Sequence, residues 1–330
     1  MFRLIARTIS TLAVLAMAQI LASPGQAQTG QAQNWPQRPV LLILPFGPGS
    51  GADIAARLLS DKLQKIWGQP VVVEGRPGGD GLISVRGVVN AKDDHVIFFG
   101  PTSAYVVHPY VHDNLGYDPQ TDLQPIAGVA KVQIAMAVPK SLGVGSLKEL
   151  VAYTKAHPEK LSYGVAPGFS EFVFNGFLRE NDLKMAKVPY RDITQSPPDL
   201  GLGRIQLVMM SYAAMRAQEQ VGDIKVLAIN DTKRSAIAPD IPSVVEAGFP
   251  DLVASPVLGL MGHRDMPLDV RKKAAAGVLE ALKDEAVIGG LARSGQPVAP
   301  MGVEEFAAAV KEQHRQVAHI AQLLHIERKK

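Results

Sequence analysis

The run Leu44-Pro-Phe-Gly-Pro-Gly-Ser-Gly-Ala-Asp53 gathers the residues of this chain best placed to do chemistry. An apolar run ends there, glycines turn the chain, and a helical pattern begins. The first N–H groups of a helix have no intrahelical partner, and the helix dipole puts partial positive charge beside them. Gly47, Gly49 and Gly51 carry no side chain to keep a ligand off the backbone. Phe46, Ser50 and Asp53 complete the loop. Such a loop is an anion cradle. Charge-assisted hydrogen bonds contribute about 1.5–3 kcal/mol each, so a few suffice for micromolar affinity.

Other chemistries compete for the same residues. Gly47-x-Gly49-x-x-Ala52 fits a dinucleotide fingerprint, and Glu74 follows Ala52 by 22 residues where a ribose-binding acid would stand. Against that, Pro45 and Pro48 stiffen the turn, and Asp53 would repel a phosphate while suiting a helix start. No Lys-Ser/Thr follows the glycines, so a P-loop is excluded. H-E-x-x-H and G-x-S-x-G are absent, and Ser50 has no base evident in the sequence. His108 and His112 are four apart with Pro109 between them; His314, His319 and His325 read as a solvated helix face. Arg76 and Arg191 can meet a carboxylate, though structural ion pairs are the commoner use of arginine. Zero cysteine removes disulfides, Fe–S clusters, cysteine-ligated zinc and a cysteine nucleophile.

The elements that must hold this loop are readable. Val40–Phe46 is a nearly continuous apolar run, as in a strand buried on both faces. Asp53–Trp67 has helical spacing at Ile54, Leu58, Leu59, Leu63, Ile66 and Trp67, and Gly68 stops it. Val71–Val73, Leu82–Val89 and Val96–Phe99 continue as strand, helix and strand, a doubly wound pattern. The pattern restarts with a long strand over Ile126–Val138 and runs through Ile224–Ile229. Two helices, Leu268–Lys283 and Val303–Ile326, then lack a sheet of their own and must pack on the first one. The expectation is an α/β chain of two doubly wound lobes, 28–137 plus 258–330 and 138–257, joined by crossings near 138 and 258. Two crossings make a hinge around a cleft.

The chain has 330 residues, with 34 bases and 31 acids interspersed, which is too mild a charge for a nucleic-acid binder. Arg3 and Arg7, the apolar run Leu12–Ala22 and the small-x-small pattern Gly25-Gln26-Ala27 have the layout of a secretory signal peptide cut near Ala27. Its removal takes two arginines and no acid, leaving 32 bases against 31 acids. Any preference for anions must then be local. A periplasmic, monomeric protein without a cofactor is expected.

Several motifs together resemble one family. They are Pro36-x-Arg38-Pro39-Val40, Pro45-Phe46-x-Pro48-Gly49-x-Gly51-x-Asp53, and Gly68-Gln69-Pro70-Val71-Val72-Val73-Glu74-x-Arg76-Pro77-Gly78. Tyr117-Asp118-Pro119, Val188-Pro189-Tyr190-Arg191, Arg234–Ala247 with Gly248-Phe249-Pro250, and Glu304-Glu305-Phe306 extend the match over the whole mature chain. The sequence resembles the extracytoplasmic solute receptors of tripartite tricarboxylate transporters. The resemblance implies a two-lobed, type II periplasmic-binding-protein fold that captures a small carboxylate and passes it to a membrane permease. It implies that Phe46–Asp53 holds one carboxylate, partly through ordered water, and that Gly164–Ser170 closes on the ligand from the other lobe. Ala166, Gly168, Phe169, Ser170, Tyr190, Arg191 and Met210 become candidate contacts. Thr102 and Ser103 join them by topology, since ligands sit beyond the carboxyl ends of parallel strands.

The second loop departs from the family. Relatives often carry a Gly-Asn-Gly-Ser-Ser-Ser-His type run where this chain has Pro167-Gly168-Phe169-Ser170-Glu171-Phe172-Val173. Arg191-Asp192 stands where relatives often have Lys-Gly, and Met210 where they often have Asp. An amino-acid ligand wants a carboxylate for its ammonium, so Met210 disfavours one. The expected ligand is a less polar mono- or dicarboxylate, aromatic ones included, packed against Phe169. A signalling receptor that docks a membrane sensor, and a dinucleotide enzyme, are the alternatives.

Overall fold

The computed structural model describes residues 34–166, 168–190 and 192–329; the expected signal peptide at 1–27 and Arg191 lie outside the described residues. Strand β1 (Val40–Leu44) starts the first sheet and is almost wholly buried, as its apolar run requires. Helix α1 (Gly51–Trp67) leads to β2 (Val71–Gly75), and α2 (Leu82–Ala91) leads to β3 (Val96–Pro101). Both neighbours pair parallel to β1, with Val71 opposite Val40 and Val96 opposite Leu41. Gly68 ends α1 at φ +67°, its N–H on the Gln64 carbonyl. The buried face of α1 is Ala52, Ala55, Ala56, Leu59 and Leu63, whereas Ile54 and Ile66 face solvent.

A short helix α3 (His108–Val111) precedes β4 (Leu123–Lys131). The stretch expected as one strand over 126–138 is two, β4 and β5 (Ile134–Pro139), and they belong to different sheets. The change of sheet comes at Val132-Gln133, not near 138. An unbroken apolar run shows burial, and both strands are buried, so nothing in it marks the break. The second sheet continues with α4 (Leu147–Ala156), β6 (Ser162–Val165), α5 (Phe169–Glu180), β7 (Ala186–Lys187), α6 (Ser196–Gly201), β8 (Leu207–Ser211), α7 (Tyr212–Val221) and β9 (Ile224–Ile229). Its order is β7-β6-β8-β5-β9.

Strand β10 (Val257–His263) brings the chain back and lies between β3 and β4, antiparallel to both. β5 is likewise antiparallel to β8 and β9. Each sheet is therefore mixed, because these strands join the parallel set next to a crossing between sheets rather than through a βαβ unit. Helices α8 (Leu268–Ala281) and α9 (Glu285–Arg293), edge strand β11 (Val298–Met301) and α10 (Val303–Leu323) follow. They complete the first lobe, whose sheet order is β11-β4-β10-β3-β1-β2. Sequence reading foresaw α8 and α10 but not α9 or β11. Gly289-Gly290 weakens the helical signal, and Pro300 demotes the strand to an edge. His314 is not on a solvated face: its ring centroid lies 6.4 Å from that of Tyr105, and burial pushes its pKa down to about 4 against the raising effect of Asp118.

Phe306 anchors α10. It is fully buried, and a Cβ on Gly259 would lie 2.3 Å from its Cζ, so the ring fills space that β10 leaves only by having glycine there. Phe306→Ala should cost about 3–5 kcal/mol of unfolding free energy in urea denaturation. A loss below about 1 kcal/mol would mean that α10 is not held on the first sheet by this ring.

Candidate functional site

The loop between β1 and α1 is built by local chemistry. Ser50 caps α1: its backbone is extended (φ −67°, ψ 157°) and its Oγ accepts the Asp53 N–H at 3.2 Å. The Asp53 carboxylate reaches back to accept the Gly49 N–H at 3.0 Å, and Gly49 sits at φ +82°. Arg57, one turn on, donates Nε to both Asp53 oxygens at 3.0 and 3.1 Å. Asp53 is thus committed to the loop and its charge is balanced within it. The repulsion of anions expected of this residue is offset by Arg57. Burial alone would raise the Asp53 pKa, but the hydrogen bonds from Arg57 and Gly49 and the Arg57 charge outweigh it and hold the carboxyl below its ordinary value.

With Gly49 and Asp53 N–H groups used internally, the helix start offers the Gly51 and Ala52 N–H groups. Ser50, Gly51 and Ala52 line a cavity of about 70 Å³ between the lobes. Gln296, from the segment between α9 and β11, closes one wall and donates Nε2 to the Gly51 carbonyl at 2.9 Å. Phe46, Pro101 and Ser103 complete the first-lobe side. Ala166, Ser170, Ile193, Thr194, Met210 and Ser211 face them from the second lobe, and Val132, Ile134 and Leu258 from the crossing strands form the floor. Ser170 stands in the first turn of α5, whose N-terminal N–H groups have no side-chain cap. Two helix N-termini, one from each lobe, therefore face one small cavity, and among the described residues no acidic side chain lines it.

A second, larger cavity of about 460 Å³ adjoins it, sharing Phe46 and Ile193. The Gly78–Gly81 loop lines it from the first lobe and Lys187–Tyr190 with Asp192 from the second. Tyr190 donates its hydroxyl to Asp199 at 2.9 Å; burial and that carboxylate push its pKa up to about 12. The lobes touch at this cleft. A Cβ on Gly168, which has φ +83°, would lie 2.4 Å from the Ser103 carbonyl oxygen. Arg216 of α7 donates to the Arg293 carbonyl across the same divide at 2.7 Å.

The comparisons with known proteins fit this geometry. The profile of the family described as "Tripartite tricarboxylate transporter family receptor" matches residues 55–326. The chain belongs to that receptor family. A protein of Bordetella bronchiseptica from the group named UPF0065 is 28% identical over 297 residues, 90% of this chain and 88% of its own. Protein BugT of Bordetella pertussis is 28% identical over 279 residues, 83% of this chain and 86% of its own. The structure of Rpa4515 from R. palustris, solved with adipate, aligns at a TM-score of 0.82 with 26% identity, over 88% of this chain and 99% of that one. A solved periplasmic transporter aligns equally well, at 0.82 with 29% identity over 89% of this chain and 99% of that one. The two-lobed α/β fold expected from the sequence is the fold of these receptors. No helix among the described residues is long and apolar enough to cross a membrane.

Of the receptor's anticipated contacts, Phe46, Ser50, Gly51, Ser103, Ala166, Ser170 and Met210 meet at the inner cavity. Tyr190 lines the outer one with Phe46. Others do not line either cavity. Gly47 faces Asp192 across the cleft, Gly49 and Asp53 shape the loop from behind, and Gly168 is the point of lobe contact. Thr102 is buried and accepts the Val257 N–H with Oγ1 at 3.2 Å, pinning β10 to the end of β3. Phe169 is fully buried and lines a separate cavity with Phe177 and Ile320, beside α10. As the first residue of α5 it points to the helix's core side, so the cleft face falls to Ser170. Phe169, expected to pack against the ligand, thus does not line the inner cavity. Glu74, the acid a dinucleotide ribose would need, is ion-paired with Arg76 at 2.7 Å.

Sequence reading missed Thr194, Ser211 and Gln296. Ser211 ends β8 at the same sheet edge as the two loops, so the topology rule applied to Thr102 and Ser103 reaches it as well. Gln296 has no local signal, since it acts 245 residues from Gly51. The loop architecture makes a pH prediction. The folded-state pKa of Asp53 is depressed, so its stabilisation is complete above the ordinary value of 3.8 and is lost as pH falls through the lowered value. Asp53→Asn should cost about 1–3 kcal/mol in urea unfolding at pH 7. Its deficit relative to the parent should shrink as pH is taken below 3.8. A deficit that stays constant with pH would show that the carboxylate does not hold the loop.

Proposed function

We propose that this chain is an exported receptor that captures a small carboxylate in the inter-lobe cleft and hands it to a membrane permease of the tripartite tricarboxylate type. The carrying observation is the single cavity faced by the N-termini of α1 and α5. Free N–H groups and two dipole ends favour an anion there. The flanking Ser50, Ser103, Ser170 and Thr194 hydroxyls add neutral hydrogen-bonding groups, and Phe46, Ile134, Ile193, Met210 and Leu258 supply apolar walls. A carboxylate group matches the volume of about 70 Å³, and the remainder of the ligand extends past Phe46 and Ile193. Met210, where relatives often have Asp, offers nothing to an α-ammonium inside the inner cavity.

In this reading the lobes are residues 34–131 with 257–329 and residues 134–253, and they close about the crossings at Val132-Gln133 and before Val257. A relative's ligand points the same way: Rpa4515 is described with adipate, a carboxylate. Binding without turnover is the behaviour expected of such a receptor. The signal peptide expected at 1–27 places the receptor outside the cytoplasm, cleaved near Ala27.

Mass spectrometry of small molecules released from freshly purified, denatured protein tests this reading. A small carboxylate in near-stoichiometric amount is expected, unchanged after long incubation with the native protein. Release of a dinucleotide, or conversion of the carboxylate to product, would overturn it.

A further inference from the structure

We propose that the outer chamber of the cleft makes this receptor prefer monocarboxylates to dicarboxylates of matched skeleton. The inference rests on the carboxylate reading above and adds the chemistry of the ligand's far end. Phe46 and Ile193 line both cavities, so a ligand with its carboxylate at the helix N-termini passes its tail between them into the larger chamber. The walls there decide what the tail can carry.

Among the described residues, the ionisable side chains lining the outer chamber, apart from Tyr190, are Asp80, Glu171, Lys187 and Asp192. Lys187 is spent on Glu171, with which it makes a close ion pair. Asp80 and Asp192 remain, one from each lobe, so closure brings both toward a tail. Among the described residues neither has a lysine or arginine partner. Asp192 caps its own turn, accepting the Thr194 N–H with Oδ1 at 3.0 Å, and its Oδ2 lies 3.7 Å from where a Gly47 Cβ would stand. It therefore sits at the lobe contact, over the entrance to the cradle.

Asp80 is held in place by its backbone. It takes φ 56° in a loop of glycines, and the buried His108 ring places Nε2 3.1 Å from its carbonyl oxygen. The nearest basic atom to its carboxylate is His112 Nε2, 3.8 Å away. Among the described lining residues three acids stand against one lysine. A second carboxylate on the ligand thus enters a chamber of its own sign, and rejection of an alternative ligand by unpaired like charge is an efficient source of specificity. A closed cleft limits the screening that salt provides at an open surface.

Isothermal titration of the mature chain with matched acid pairs tests this directly. The pairs are butanoate and succinate, hexanoate and adipate, and benzoate and terephthalate. The monoacid should bind at least tenfold tighter than its diacid in every pair that binds. The Asp80→Asn, Asp192→Asn double variant keeps the side-chain amide oxygen for the Thr194 cap, and it should narrow that ratio by gaining affinity for the diacid. Diacids binding as tightly as monoacids, or a ratio unchanged in a double variant that keeps the parent's melting temperature, would overturn the inference and leave the carboxylate reading standing. Binding of none of the six acids would overturn both.

Discussion

Two helix ends of the same electrical sign face each other across a small cavity, and the rest of the molecule can be understood from that constraint. Each N-terminus carries roughly half a positive charge in partial charges on unpaired N–H groups. Bringing α1 and α5 together is unfavourable unless something negative or strongly polar sits between them. An anion turns that repulsion into two attractions. On the proposed function ligand binding and lobe closure are one event, because a bound anion would interact more strongly with a closed arrangement than with an open one.

The constraint explains how the loops are made. The cradle must present N–H groups without collapsing onto them, so the carboxylate that could fill it is turned away. Asp53 binds Gly49 from behind and is neutralised by Arg57. Gln296 fixes the Gly51 carbonyl, so the first turn of α1 is held from the far end of the chain. On the facing side, α5 starts without a side-chain cap, which leaves its first N–H groups to the cleft. Gly168 lets that turn approach the Ser103 backbone, a contact that any Cβ would block. Thr102 supports the same wall by pinning the returning strand β10.

Much of this was legible from local pattern. The apolar run at Val40–Phe46, the glycines after it and the stop at Gly68 specified a strand, a turn and a helix, and each stands where the pattern put it. Features set by long-range packing were not legible. Phe169 looked like a ligand contact because it sits in the loop that faces the cleft, but helix phase assigns that face to Ser170. The change of sheet at Val132-Gln133 is hidden inside one apolar run, since residues buried in either sheet look alike. Gln296 and the edge strand β11 belong to a segment whose role exists only once the chain has returned to the first lobe. The family motifs carried the overall architecture.

In the proposed receptor the backbone N–H groups at the start of α1 hold the carboxylate, and a pair of substitutions at Gly51 isolates their contribution. Gly51 is the first residue of α1, where proline is tolerated, and Ser50 before it is already extended, as a residue preceding proline must be. Gly51→Ala adds a methyl group and keeps the N–H; Gly51→Pro removes the N–H. Titration of both variants with the carboxylate recovered from the native protein should show the proline variant binding about ten- to a hundredfold more weakly than the alanine variant, the loss of one charge-assisted hydrogen bond. Equal affinities in the two variants would show that the Gly51 N–H does not hold the carboxylate.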